Sequence, residues 1–254
     1  MSGGTTAVVA GTTPYPWPWD GGLRPERLAL LVVGCPHPGA PHSEARTRGT
    51  AGAGEAGARI ALLADVVRRA GGLVLAVRVR APRGVPPRAS QGAAPGLGGE
   101  RFAQLAAGGG GEARDAAAGA GAARGGPAHR LAAGTGGAAA DPVAAASPDL
   151  VIQAAGWSGF HGSGLDAVLR DARRDLLLLA GCCLELGVHS TMRAANDRGY
   201  ECLLVADACA SADPALTANA LSTIEMSGGI FGAVGEAAAV ADALLPPATE
   251  RKVS

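Results

Sequence analysis

The 254-residue chain carries 22 Lys and Arg against 22 Asp and Glu, a formal charge of zero, which argues against the basic footprint that nucleic acid or an anionic membrane surface requires. Its hydrophobic fraction is 48% but only 3% is aromatic, so a core must be built from Ala, Leu and Val, in one large α/β domain or two small ones. Five cysteines (Cys35, Cys182, Cys183, Cys202, Cys209) stand without CxxC or Cys/His metal spacing, no basic leader opens the chain, and no apolar run is long enough to span a bilayer. We therefore expect a cytoplasmic protein with reduced thiols, no metal and no cofactor, binding neither nucleic acid nor membrane.

In chain order, PYPWPWDGG ends an arm (residues 1–22) whose prolines exclude helix and favour an extended segment. Leu28 to Val33 (LALLVV) is an apolar run of strand length, as in a strand buried on both faces. Ile60, Leu63, Val66 and Val67 then recur at helical spacing between Glu55 and Ala70, Gly71-Gly72 closes that helix, and Leu73 to Val79 is the next strand. This is a β-α-β unit with a parallel pair. Later the alternation returns: strand Leu150 to Ile152, helix Leu165 to Arg170, strand Leu176 to Ala180, and a helix with Val188, Thr191, Met192 and Ala195 on one face, ended by Gly199. Strand Cys202 to Ala206, a helix from Pro214 through Ile224 and a terminal helix Ala237 to Leu244 follow. Successive β-α units argue for a parallel sheet with helices on both faces.

Between the halves, residues 82–148 are dominated by Ala, Gly, Arg and Pro, including GGGG at Gly108 to Gly111. The composition reads as poorly ordered or loosely packed, with one helix near Glu100 to Ala107 where Phe102 and Leu105 share a face. The expected organisation is an arm (1–22), one α/β domain (23–245) with this middle segment, and a tail (246–254).

In an open parallel sheet ligands bind beyond the carboxyl ends of the strands, which points to Gly34-Cys35-Pro36-His37, to Ala154 through Trp157 and to Gly181 through Gly187. Here the stretch AGCCLELGVHSTMRAANDRGYECLLVADACASADP resembles the nucleophile region of the isochorismatase-like cysteine hydrolases, as does IFGAV. The opening YPWPWDGGLRPERLALLVV resembles their biuret amidohydrolase branch. The resemblance covers roughly residues 14–80 and 149–245. It implies a three-layer α-β-α fold with a central, mostly parallel, Rossmann-like sheet, a homo-oligomer, and an Asp, Lys and Cys that open amides through a covalent thiol intermediate. At the matching positions this chain has Gly34, Ala154 and Gly187, and Ser227 stands where the biuret branch has Gln. Isochorismatases proper carry Gly for the Cys yet keep the Asp; losing all three leaves no nucleophile, base or cation by that route.

Other residues are then candidates. Cys182 and Cys183 read as small buried hydrophobes or as a displaced nucleophile near His189 or His161. Cys35 and His37 flank the vacated Asp position and would form a thiol–imidazole pair only if the loop between Pro36 and Pro38 permits it. Glu185 is the sole carboxylate of the former nucleophile loop, a general acid–base group or a solvated carboxylate near a helix start. Trp157, Phe160 and His161 would line the pocket in the family's geometry, together with Ser227; Trp157 is equally a core or interface aromatic. Asp207 and Asp213-Pro214 read as turn-holding residues, the latter an N-cap followed by Pro. Two functional expectations result: a repurposed pocket for a small specialised metabolite, with Glu185, His161 and Cys35 as candidate acid–base groups, or a non-catalytic subunit that supports an active relative.

Overall fold

A computed structural model describes residues 8–18, 22–34, 53–80, 141–211 and 214–245, all within one compact unit. The elements run β1 (Leu28–Gly34), α1 (Ala53–Arg69), β2 (Leu73–Arg78), α2 (Pro142–Ala146), β3 (Leu150–Gln153), α3 (Leu165–Asp171) and β4 (Leu176–Cys182). A π-helical turn (Leu184–Val188) leads into α4 (His189–Asn196), then β5 (Glu201–Ala210), α5 (Pro214–Gly229), β6 (Ala233–Gly235) and α6 (Ala237–Leu244). The six strands form one parallel sheet in the order β3-β2-β1-β4-β5-β6. The three-layer α/β fold expected from the sequence is the observed one.

Alternation along β1 sorts the two faces. Ala29, Leu31 and Val33 join Leu165 and Leu169 of α3, Met192 and Ala195 of α4 and Ile224 of α5 in one core. Leu28, Leu30 and Val32 join Ile60, Leu63 and Val67 of α1, Val240 of α6 and Val9 and Trp17 of the arm in the other. Leu28, Leu30 and Leu31 are fully buried, each stabilising the fold by roughly 1.5–3 kcal/mol, so central strands need no aromatic residues to hold the sheet.

Three features differ from the sequence reading. Helix α2 lies inside the segment read as loosely packed: Asp141 caps it, accepting from the Val143 N–H at 3.0 Å, and Pro142 opens it. Helix α5 loses helical backbone at Met226, Ser227 and Gly228. The arm pairs with the last strand, Thr13 and Val234 exchanging backbone hydrogen bonds of 2.9 and 2.8 Å, which covers β6 where an edge would be open. The helix expected near Glu100 lies outside the described residues.

Candidate functional site at the carboxyl ends of the strands

Gly34 ends β1, in register with Arg78 at the end of β2, which is in turn in register with Gln153 of β3. A Cβ placed on Gly34 would lie 2.6 Å from Val143 Cγ2 and 3.9 Å from Arg78 Cγ. Helix α2 therefore occupies the space into which a side chain at position 34 would grow. Arg78 donates to Asp141 Oδ2 at 2.7 Å while Asp141 Oδ1 caps α2, so this ion pair fastens α2 over the end of the sheet. Both side chains are about a third exposed, and the pairing contributes more to placement than to stability.

Ala154, one residue past β3, is 1% exposed and packed among Val77, Phe160 and Leu184 in the core. Its N–H donates to the Arg78 carbonyl. The loop that follows closes on itself: Ala155 N–H donates to the His161 carbonyl at 2.8 Å, and His161 N–H to the Ser158 carbonyl. His161 is exposed, its ring lying against Gly156, whose added Cβ would meet it at 2.9 Å. Trp157 is half-buried against the core. Phe160 is buried, its ring 5.7 Å from that of Tyr200 and beneath the Arg198 guanidinium, so it packs toward the far end of α4 and not over the strand ends.

Near its end strand β4 passes through Gly181, paired with Val33 of β1 and, after a shift of register, with Cys209 of β5. At φ +134°, a Cβ there would lie 2.0 Å from the Val33 carbonyl oxygen, a position open only to glycine. Cys183 adopts a left-handed backbone, φ 58° and ψ 60°, and its carbonyl accepts from Leu186 N–H and Val188 N–H, which winds the π-helical turn. Such turns recur at functional sites. Gly187 is buried within it; Cys182, Cys183 and Glu185 are half-buried.

A buried hydroxyl joins these two regions. Thr191 Oγ1 donates to the Gly187 carbonyl at 2.6 Å and accepts from Gly159 N–H at 2.8 Å. The loop after β3 and the turn before α4 are thus tied at one atom, beside two of the three positions singled out by sequence. Next in α4, His189 is half-buried with its ring 6.0 Å from Phe231, and its Nε2 is buried with no hydrogen-bond partner among the described residues. Burial, and then Arg193, hold its imidazole below the ordinary histidine range, so it is neutral near pH 7.

The other thiols are quiet. Burial pushes Cys209 up to about 12 and Cys202 higher still, so neither supplies thiolate at neutral pH. Ser227 is exposed in the turn that ends α5. Asp207 braces two helices, accepting from Ala237 N–H at 2.9 Å and pairing with Arg59 at 2.9 Å, a turn-holding role. Cys35, His37 and Asp213 lie outside the described residues. Among the described residues no group of three His, Cys, Asp or Glu is placed to hold a metal ion, and no helix is long and apolar enough to cross a membrane.

Reasoning from sequence missed Arg78, Asp141, Val143 and the coupling role of Thr191. Asp141-Pro142 carried a readable signal, the same cap-then-proline pattern as Asp213-Pro214.

Comparison with known proteins places this geometry. The isochorismatase domain model matches residues 29–238. An isochorismatase family protein of Escherichia coli O157:H7, YecD, is 30% identical over 82 residues, 32% of this chain, and the chain spans 44% of that relative's length. The crystal structure of a cysteine hydrolase from Pseudomonas syringae pv. phaseolicola 1448A superposes with a TM-score of 0.55 at 20% identity, covering 87% of this chain and 94% of its own. An isochorismatase family protein from Desulfovibrio vulgaris subsp. vulgaris str. Hildenborough does so with a TM-score of 0.53 at 25% identity, covering 86% and 98%. With its domain model spanning most of the sequence and its fold shared with these structures, the chain belongs to the isochorismatase family.

Proposed function

We propose that this chain is an isochorismatase-family member that has given up thiol-dependent amide hydrolysis and uses the crevice at its strand ends to bind a small organic molecule. The observation that supports this most is the chemistry of three positions. Gly34 ends β1, Ala154 follows β3 and Gly187 precedes α4, and none offers a carboxylate, an ammonium or a thiol. Half-buried Trp157, Glu185, Cys182 and Cys183 stand beside the same strand ends. Any rearrangement, cyclisation or hydrolysis there would rest on positioning and on acid–base help from Glu185, His161 or Cys35. Mass spectrometry of the native protein tests the reading: a retained small molecule, released on denaturation and lost in Trp157→Ala, supports it. A protein that retains nothing, and whose melting temperature no panel of small metabolites raises, overturns it.

One observation favours a second reading, a non-catalytic subunit that supports an active relative. Val143 fills the space beside Gly34, as in a site packed shut by its own chain. Under that reading the protein binds no small molecule yet alters the turnover of a hydrolytic relative on mixing. Assembly belongs to the same proposal: Leu186, Met226 and Ile230 are 42%, 50% and 53% exposed, apolar surface of the kind that copies of one chain cover. Light scattering should give the mass of a dimer or larger; a monomer mass at micromolar concentration contradicts it.

A further inference from the structure

Helix α2 is fastened unevenly at its two ends. At its carboxyl end Arg68 of α1 donates to the carbonyls of Ala146, at 3.0 Å, and of Ser147, and Ala146 is buried in the core beneath α1. Two residues on, Asp149 pairs with the same guanidinium at 3.1 Å and accepts from Val74 N–H at 2.9 Å. At its amino end the side-chain ties among the described residues are the Arg78–Asp141 ion pair, about a third exposed on each side, and Val143, buried against the end of β1. Ser147 takes a left-handed backbone, φ 43° and ψ 58°, uncommon for a residue with a side chain. The chain thus bends at the anchored end, and the opposite end is held by one partly solvated pair and one valine.

What α2 covers decides what could replace it. Gly34 has no side chain, so the room beside the end of β1 is filled by the Val143 isopropyl group, at the end of a parallel sheet where small molecules bind. Arg78 borders the same room, its Cγ 3.9 Å from where a Cβ on Gly34 would lie. Asp141 neutralises it through a single bond from Nη2 to Oδ2 of 2.7 Å. A guanidinium carries five donors in a planar fork, which a free carboxylate matches with two parallel bonds. A carboxylate that replaces Asp141 keeps the local charge balanced, while Asp141, already a third exposed, moves into water. An apolar body the size of a valine side chain fits the room that Val143 gives up. An uncharged molecule of that shape gains nothing from Arg78.

We propose that α2 is a displaceable plug in the strand-end crevice: a compact aliphatic carboxylate takes Arg78 from Asp141 and the place of Val143, and α2 swings out about Ser147. The inference rests on the crevice reading given above, and adds to it the class of molecule that the crevice takes and the contact that holds it shut.

The test is an NMR titration of the full chain with sodium isobutyrate, with isobutyramide as the uncharged match. Isobutyrate should give saturating shifts at the Gly34 and Arg78 amides and move the Val143 methyl resonances to those of a solvated valine; isobutyramide should do neither. Asp141→Asn keeps a side chain that caps α2 but removes the internal competitor, and should bind isobutyrate about tenfold more tightly. Arg78→Gln should abolish binding. Saturating binding that leaves the Val143 methyls in place, or that Arg78→Gln retains, overturns the plug while the crevice reading stands. Absence of binding in Asp141→Asn overturns the plug as well; the crevice reading falls separately, on the retained-molecule measurement described above.

Discussion

At the carboxyl end of the sheet, the positions that the family resemblance marks are small and buried, and Val143 occupies the space beside one of them. At the amino end, Arg27, Asp175, Tyr15 and Glu201 are large polar groups in matched pairs beside open cavities. The contrast follows from what each group needs. A buried charge persists only with its partner, so on the reading proposed above a carboxyl end without one member of a charged set would favour apolar atoms in place of the others. Paired groups near the surface carry no such penalty and remain.

The comparison breaks first at Gly181. Gly181→Ala would drive a methyl into the Val33 carbonyl and force φ +134° on an alanine. We expect loss of more than about 4 kcal/mol, or no folded protein, read by urea unfolding. Reinstating charge at the carboxyl end comes next. Ala154→Lys places an ammonium at a position 1% exposed, with no carboxylate at position 34 to meet it, at a cost of about 3–5 kcal/mol. A melting temperature equal to that of Gly187→Cys would mean that water reaches the site.

Gly34→Ala should cost about 1–3 kcal/mol through overpacking against Val143. Val143→Ala in the same molecule should recover part of that, so the double-mutant cycle gives a favourable coupling; strict additivity would deny that α2 fills the space. Thr191→Val should cost a similar 1–3 kcal/mol, since the Gly159 N–H loses its acceptor in a buried place.

The smallest effect is a pH dependence. His189 is held below its ordinary value, so the unfolded chain binds its proton first as pH falls. Its contribution to stability is therefore present above about pH 6.5 and is lost as pH falls from there through the lower folded value. Stability of His189→Gln measured from pH 8 to pH 5 should fall less steeply than that of the unsubstituted protein; parallel curves would show that the imidazole is solvated.

Much of this architecture was legible from periodicity. The runs LALLVV and LLLLA and the helical spacing of Ile60, Leu63, Val66 and Val67 place β1, β4 and α1 within one or two residues of their observed ends, because burial on both faces leaves a continuous apolar signature. The short elements were not legible. Helix α2 has five residues in an Ala-rich setting, and β6 has three, too few for a period to show. For the candidate site, the sequence pointed to Gly34, Ala154 and Gly187 because strand ends are positions in the chain. It did not reveal that Val143 sits against Gly34, 109 residues away in sequence, or that Thr191 bonds to both Gly159 and Gly187. Those are contacts between segments, and no local pattern encodes them. The same limit applied to Phe160, whose place after β3 suggested the crevice while its ring packs on Tyr200.

The central claim is that this fold runs without the family's thiol chemistry, and turnover is its most direct test. Purified protein incubated with biuret and with nicotinamide should release no ammonia above a protein-free control, and a thiol-alkylating reagent should change nothing. Ammonia release that the reagent abolishes, and that Cys183→Ser also abolishes, would show a displaced nucleophile at the end of β4 and contradict the account.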